Sequence, residues 1–136
     1  MRKKTRDKIK FDNRTIEAIK VNDLEFTYVA KDGSVKAKRK ILLPFQVPKK
    51  SITKGLKLCI HRDTGSKYFW LQFWYNGKAD YYSVGKFIPG SWGVSDVEDK
   101  LYPIVRSHTN DKGHWVKNPN ETERKEKADK ERLIKS

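Results

Sequence analysis

The stretch that decides the fold runs Gly55-Leu56-Lys57-Leu58-Cys59-Ile60-His61, then Lys67-Tyr68-Phe69-Trp70-Leu71-Gln72-Phe73-Trp74-Tyr75, then Asn76-Gly77, then Lys78-Ala79-Asp80-Tyr81-Tyr82-Ser83-Val84-Gly85. Leu56, Leu58 and Ile60 alternate with Lys57, Cys59 and His61, the period of two that puts one set of side chains on each face of a strand. Arg62-Asp63-Thr64-Gly65-Ser66 supplies a turn. The next strand places Phe69, Leu71, Phe73 and Tyr75 on one face. Asn76-Gly77 is a two-residue hairpin signal, because both residue types tolerate positive φ. A third strand over 78–84 brings Tyr82 and Val84 to the same apolar face, and Gly85 ends it. Such a face needs a cover. Ser95-Asp96-Val97-Glu98 reads as a capping box opening a helix with Val97, Leu101, Ile104 and Val105 on one stripe. Pro103 inside it predicts a kink or an early end.

The flanks are less regular. Residues 1–10 carry Arg2, Lys3, Lys4, Arg6, Lys8 and Lys10 with no core-forming pattern, and read as a mobile basic arm. Asp12 or Asn13 can cap a short helix carrying Ile16, Ala18 and Ile19. Leu24 to Val29, the Asp32-Gly33 turn and Val35 to Leu43 form a candidate hairpin whose second strand holds Lys36, Lys38, Arg39 and Lys40, either a solvated edge or a DNA contact. Pro44, Pro48 and Lys49-Lys50 mark a linker. The expected fold is α+β: a three-stranded antiparallel sheet packed against a C-terminal α-helix, with an extra N-terminal hairpin and a basic arm. Its divisions are an arm at 1–10, a short helix, hairpin and linker at 11–54, the sheet-and-helix core at 55–118, and a charged tail or interrupted linker at 119–136.

Charge narrows the partners. Lys and Arg number 31 against 17 Asp and Glu, a net charge of +14 on 136 residues, which points to a polyanion. Residues 1–54 hold +10 of it, from 16 basic and 6 acidic side chains, whereas ten of the sixteen aromatics lie between Tyr68 and Trp92. No run of about 18 apolar residues exists to span a bilayer, and the N-terminus lacks the apolar stretch of a signal peptide. The single cysteine, Cys59, excludes an internal disulfide and suits a reducing, cytoplasmic location.

Thr53-Lys54-Gly55-Leu56-Lys57-Leu58, Gly65-Ser66-Lys67-Tyr68-Phe69, Tyr75-Asn76-Gly77-Lys78 and Tyr82-Ser83-Val84-Gly85-Lys86-Phe87, followed by the Ser95–Glu98 helix start and a Gly113-to-Pro119 closing segment, form an ordered set. Phe11-Asp12-Asn13-Arg14-Thr15-Ile16 precedes them. The set resembles the N-terminal, arm-type DNA-binding domain of phage and genomic-island integrases of the tyrosine recombinase family, over roughly residues 11–20 and 53–119. The resemblance implies a three-stranded sheet docked in the major groove of double-stranded DNA at arm-type sites. It also implies a role in site-specific recombination and DNA integration inside a bacterial or phage-infected cell, with other integrase protomers as possible partners. The recombinase's catalytic set would lie on a separate domain beyond this chain, so this module is expected to be no enzyme.

The face opposite the apolar one carries Lys57, Cys59 and His61, then Tyr68, Trp70, Gln72 and Trp74, then Ala79, Tyr81 and Ser83. Gln72 can pair bidentately with adenine, and Lys57 can meet guanine or phosphate. Arg62, Lys67 and Lys86 complete the expected DNA contacts, with the arm residues added. Positions matching Trp70, Gln72 and Trp74 are often basic in the family, and here two are tryptophan. Three readings stand: the 24–43 hairpin or the arm packs over this face, the tryptophans touch thymine methyls and sugars, or they stack bases of single-stranded DNA or RNA. Tyr68, Tyr75, Tyr81, Tyr82 and Tyr102 read as sheet and core residues rather than nucleophiles. Cys59, His61, His108 and His114 lack zinc-finger spacing, and the last two are expected in a loop. No metal, cofactor, small-molecule substrate or membrane is expected.

Overall fold

A computed structural model describes residues 8–47 and 54–135. The elements run β1 (Ile9–Lys10), α1 (Asn13–Ala18), a 3-10 turn (Val21–Asp23), β2 (Thr27–Val29), β3 (Val35–Ala37), β4 (Lys40–Gln46), β5 (Leu56–His61), β6 (Lys67–Tyr75), β7 (Lys78–Lys86), α2 (Val94–His108) and α3 (Pro119–Lys135). The class is α+β, but the main sheet has five strands in the order β1-β4-β5-β6-β7, and β2 and β3 form a separate two-stranded ribbon. All pairings in the main sheet are antiparallel except β1 with β4.

The expected three-stranded sheet is not a sheet of its own: β5, β6 and β7 are neighbours within the five-stranded one, and they keep the alternation read from the sequence. Leu56, Leu58, Ile60, Phe69, Leu71, Phe73, Tyr82 and Val84 are all buried. Asn76 and Gly77 take positive φ at the β6–β7 turn (53° and 76°), as the hairpin requires.

The N-terminal third departs from expectation. Val35–Leu43 does not form one hairpin strand. It breaks after Ala37, where Lys38 N–H donates to Phe26 C=O (2.7 Å), and resumes as β4 alongside β5. Ile41, Leu43 and Phe45 thereby join the core. Their alternation is masked in the sequence by apolar Leu42 and by Pro44, so that 35–43 reads as a hairpin strand and the stretch from Pro44 as a linker. Pro44 is tolerated because β1 reaches only Phe45 and Gln46, leaving the rest of β4 as a sheet edge. The arm boundary shifts too, since Ile9 is buried and pairs with Phe45.

Helices cover one face of the sheet. Asp12 caps α1, accepting from Thr15 N–H (3.1 Å) and Thr15 hydroxyl (3.0 Å), bonds that hold its carboxyl below its ordinary pKa. The cap of α2 is not Ser95. Gly93 is the N-cap, Asp96 accepts its N–H (2.8 Å), and Asn13 accepts Val94 N–H (2.9 Å). A side chain at Gly93 would collide with Asn13, so the two helix starts lock together. Pro103 neither ends nor shortens α2, which continues to His108. An exposed proline four residues past Asp99 forfeits one bond, and the burial of Val97 and Leu101 holds the helix regardless.

His108 lies in α2 rather than in a loop, and it is buried. Its Nδ1 is 2.8 Å from Ile104 C=O and its Nε2 is 2.9 Å from Thr122 Oγ1, joining α2 to α3. The charged tail forms α3, whose first turns dock on β7. Asn120 donates to Tyr81 C=O (2.9 Å), and the Tyr82 hydroxyl donates to Glu123. Burial, reinforced by Glu123, raises the Tyr82 pKa.

Candidate nucleic-acid interface

The core-facing side of the sheet fixes what the other side can be. Phe69 sits at the centre of an aromatic cluster, its ring 6.0 Å from Phe45, 6.1 Å from Phe87 and 5.9 Å from Trp92. The register shift between Phe69 and Trp70 lets Val84 and Gly85 together oppose Phe69, a bulge on β7. Trp92 fills the space a Cβ at Gly85 would need, and Lys100 Nζ donates to Val84 C=O (2.6 Å). The bulge is thus pinned from the helix side. It keeps Ser83 opposite Trp70 and Lys86 opposite Tyr68 on the outer face.

The outer face can be read row by row from the register. Pro44, Lys57, Trp70 and Ser83 form one row across four strands, and Leu42, Cys59, Tyr68 and Lys86 form another. Lys40 pairs with His61, Gln72 with Tyr81, and Trp74 with Ala79. None of these fourteen outward positions, nor Gln46 beyond them, is Asp or Glu, whereas Lys40, Lys57 and Lys86 are cationic. The cations sit among rings. Lys40 Nζ is 4.4 Å from the Trp70 ring centre, Lys86 Nζ is 5.9 Å from that of Tyr68, Trp70 and Tyr81 lie 5.7 Å apart, and His61 meets Tyr68 edge-on at 5.1 Å.

Exposure grades along the face. Trp74 is 63% exposed, Trp70, Gln72 and Tyr81 are half-buried by one another, and Cys59 is buried between neighbouring strands. Burial pushes the Cys59 thiol up, against a smaller opposing effect of Lys40, which keeps it a thiol rather than a nucleophilic thiolate. Beside Gln72 and Trp74 opens a cleft of about 450 Å³, lined also by Lys54, His114 and Trp115.

Seven of the expected contact residues are therefore together on one surface: Lys57, His61, Trp70, Gln72, Trp74, Tyr81 and Ser83, with Lys86 at its rim. Arg62 lies in the adjoining turn, its Nε 3.0 Å from Asp63. Lys67 is misplaced by the sequence reading. It pairs with Ile60 on the core side, and its Nζ donates to Ile16 C=O (2.7 Å) and Glu17 C=O (3.3 Å), capping the end of α1. Burial lowers its pKa. Its parity with Phe69 and Phe73 already excluded it from the outer face. Lys40, expected on a hairpin edge as a solvated residue or a DNA contact, instead reaches this outer face, because 40–46 is a strand of the main sheet.

The ribbon does not cover the tryptophans, since every residue of β2 and β3 is exposed. Arg2, Lys3, Lys4 and Arg6 lie outside the described residues. Lys8 and Lys10 are exposed, with Lys10 on β1. Among the described residues no helix is long and apolar enough to cross a membrane. Compared with family models, curated proteins and solved structures, the chain matches none.

Proposed function

We propose that the outer face of the five-stranded sheet binds double-stranded DNA and reads its sequence, as the non-catalytic arm-site module of a tyrosine recombinase. One observation carries the reading: a four-strand surface without a carboxylate, where Lys40, Lys57 and Lys86 frame Trp70, Gln72 and Tyr81. Cations at the rim neutralise phosphates and release counterions. Gln72 supplies the donor and acceptor that adenine's major-groove edge requires, and the rings offer apolar contact to thymine methyls and sugars. The resemblance to integrase arm-binding domains supports the recombination context, with strand exchange performed by a catalytic domain elsewhere in such a protein.

The test is a titration of the 136-residue chain with labelled duplex and single-stranded oligonucleotides at several salt concentrations. Contact with about four to six phosphates gives a log–log salt slope of roughly −4 to −5. A slope near zero, or no duplex binding at low salt, overturns the reading. A second reading rests on the exposure of Trp74 beside the Gln72–His114 cleft, which suits stacking of unpaired bases. Tighter binding of single strands than of duplex selects it.

A further inference from the structure

The β2–β3 ribbon contributes none of its strand residues to the core, yet the chain orders it with care. Its turn closes through Ala30 N–H to Ser34 C=O (2.8 Å), and Asp32 accepts from Ser34 N–H (3.0 Å) and hydroxyl (2.6 Å). Its base is tied down where Lys38 donates to Phe26 and where Arg62 N–H donates to Arg39 C=O (2.8 Å). Isolated two-stranded ribbons are marginal in water, so these ties hold up an element that solvent surrounds.

Its charge is of one sign, and period two puts Lys36, Lys38 and Tyr28 on one face and Val29 and Val35 on the other. From Thr27 to Lys40 the cations are Lys31, Lys36, Lys38, Arg39 and Lys40, and the single acid is Asp32, already engaged in the turn. Val29 and Val35 face each other across the strands at 70% and 72% exposure. Lys36 pairs with Tyr28, over whose ring Lys38 Nζ sits at 5.4 Å. The same run of cations continues into the outer face through Lys40, which lies over Trp70.

We propose that the ribbon is a second DNA-binding element, in which the Val29–Val35 face lies toward the floor of a major groove while Lys36 and Lys38, on the opposite face, and Arg39 at the base extend their long side chains to the flanking phosphates. The inference rests on the duplex reading of the sheet face and extends the contact beyond that sheet. A two-stranded ribbon is narrow enough to enter a major groove, where apolar side chains meet thymine methyls. A second copy of so basic a ribbon repels it, whereas a polyanion neutralises it.

The experiment uses the full 136-residue chain and a fluorescent 30-base-pair duplex of mixed sequence. Lys36→Gln with Lys38→Gln is expected to weaken binding roughly tenfold or more at low salt and to reduce the salt slope by about 2, one contact per lysine. Val29→Ser with Val35→Ser is expected to weaken binding several-fold with the slope unchanged, because no counterion is involved. Thermal melting of both should match the parent. If both pairs bind like the parent while Trp70→Ala weakens binding, the ribbon proposal is overturned and the sheet reading stands. If the parent itself fails to bind duplex, the sheet reading fails and the ribbon proposal with it.

Discussion

Phe69 and Trp70 are chain neighbours of similar size on opposite faces of β6, and truncating each to alanine separates the core from the proposed interface. Phe69 is fully buried among Phe45, Phe87 and Trp92. Phe→Ala in a core costs about 3–5 kcal/mol, and losing three ring contacts places this site near 4 kcal/mol. An unfolding entropy of roughly 2.1 cal/mol/K per residue over 136 residues is about 0.29 kcal/mol/K, so Tm should fall by about 14 °C. Trp70 keeps solvent on one side and loses mainly the Lys40 and Tyr81 contacts. That is worth about 1 kcal/mol, or roughly 3–4 °C. Far-UV circular dichroism melts give the stability, and anisotropy titration with duplex gives the affinity. Trp70→Ala should weaken binding while the fold survives. If Trp70→Ala lowers Tm as far as Phe69→Ala, both faces of the sheet are structural and the outer face is not the interface.

Removing residues 1–7 takes away Arg2, Lys3, Lys4 and Arg6 and should weaken binding to all duplexes alike with Tm unchanged. Removal through Lys10 also deletes buried Ile9 and should cost about 2–5 kcal/mol in a urea melt. Tyr82 holds its proton more tightly folded than unfolded, so its contribution is intact below its ordinary pKa of 10.0 and is lost as pH rises beyond it. Tyr82→Phe should therefore flatten the alkaline limb of a stability–pH profile, and an unchanged limb would contradict the burial argument. Asn13→Ala leaves Val94 N–H without its acceptor and should cost about 1 kcal/mol by chemical denaturation, with duplex affinity unaltered at a temperature where the fold persists.

Local pattern sufficed wherever the determining forces are local. The alternation along 56–61 and 67–75, the positive-φ turn at Asn76-Gly77 and a helix cap at Asp12 or Asn13 were readable because period, turn chemistry and capping act over a few residues. The same alternation placed seven of the expected contact residues on one surface. Lys67 was legible in principle, by its parity with Phe69, and was lost to the pull of its charge.

Contacts between distant segments were decided only by the tertiary structure. Lys40–Gln46 looks like a broken hairpin strand running into a proline linker until β5 supplies its pairing partner, and then Lys40 arrives on the outer face and Ile41, Leu43 and Phe45 enter the core. Asn13 caps a helix that begins 81 residues later, and His108 becomes a buried joint only because Thr122 meets it from α3. Strand order, the second helix cap and the ownership of a cation by core or surface depend on which segments share a neighbourhood. A sequence lists residue types in order. Only the folded chain assigns each hydrogen-bonding group a partner and each apolar side chain a place out of water.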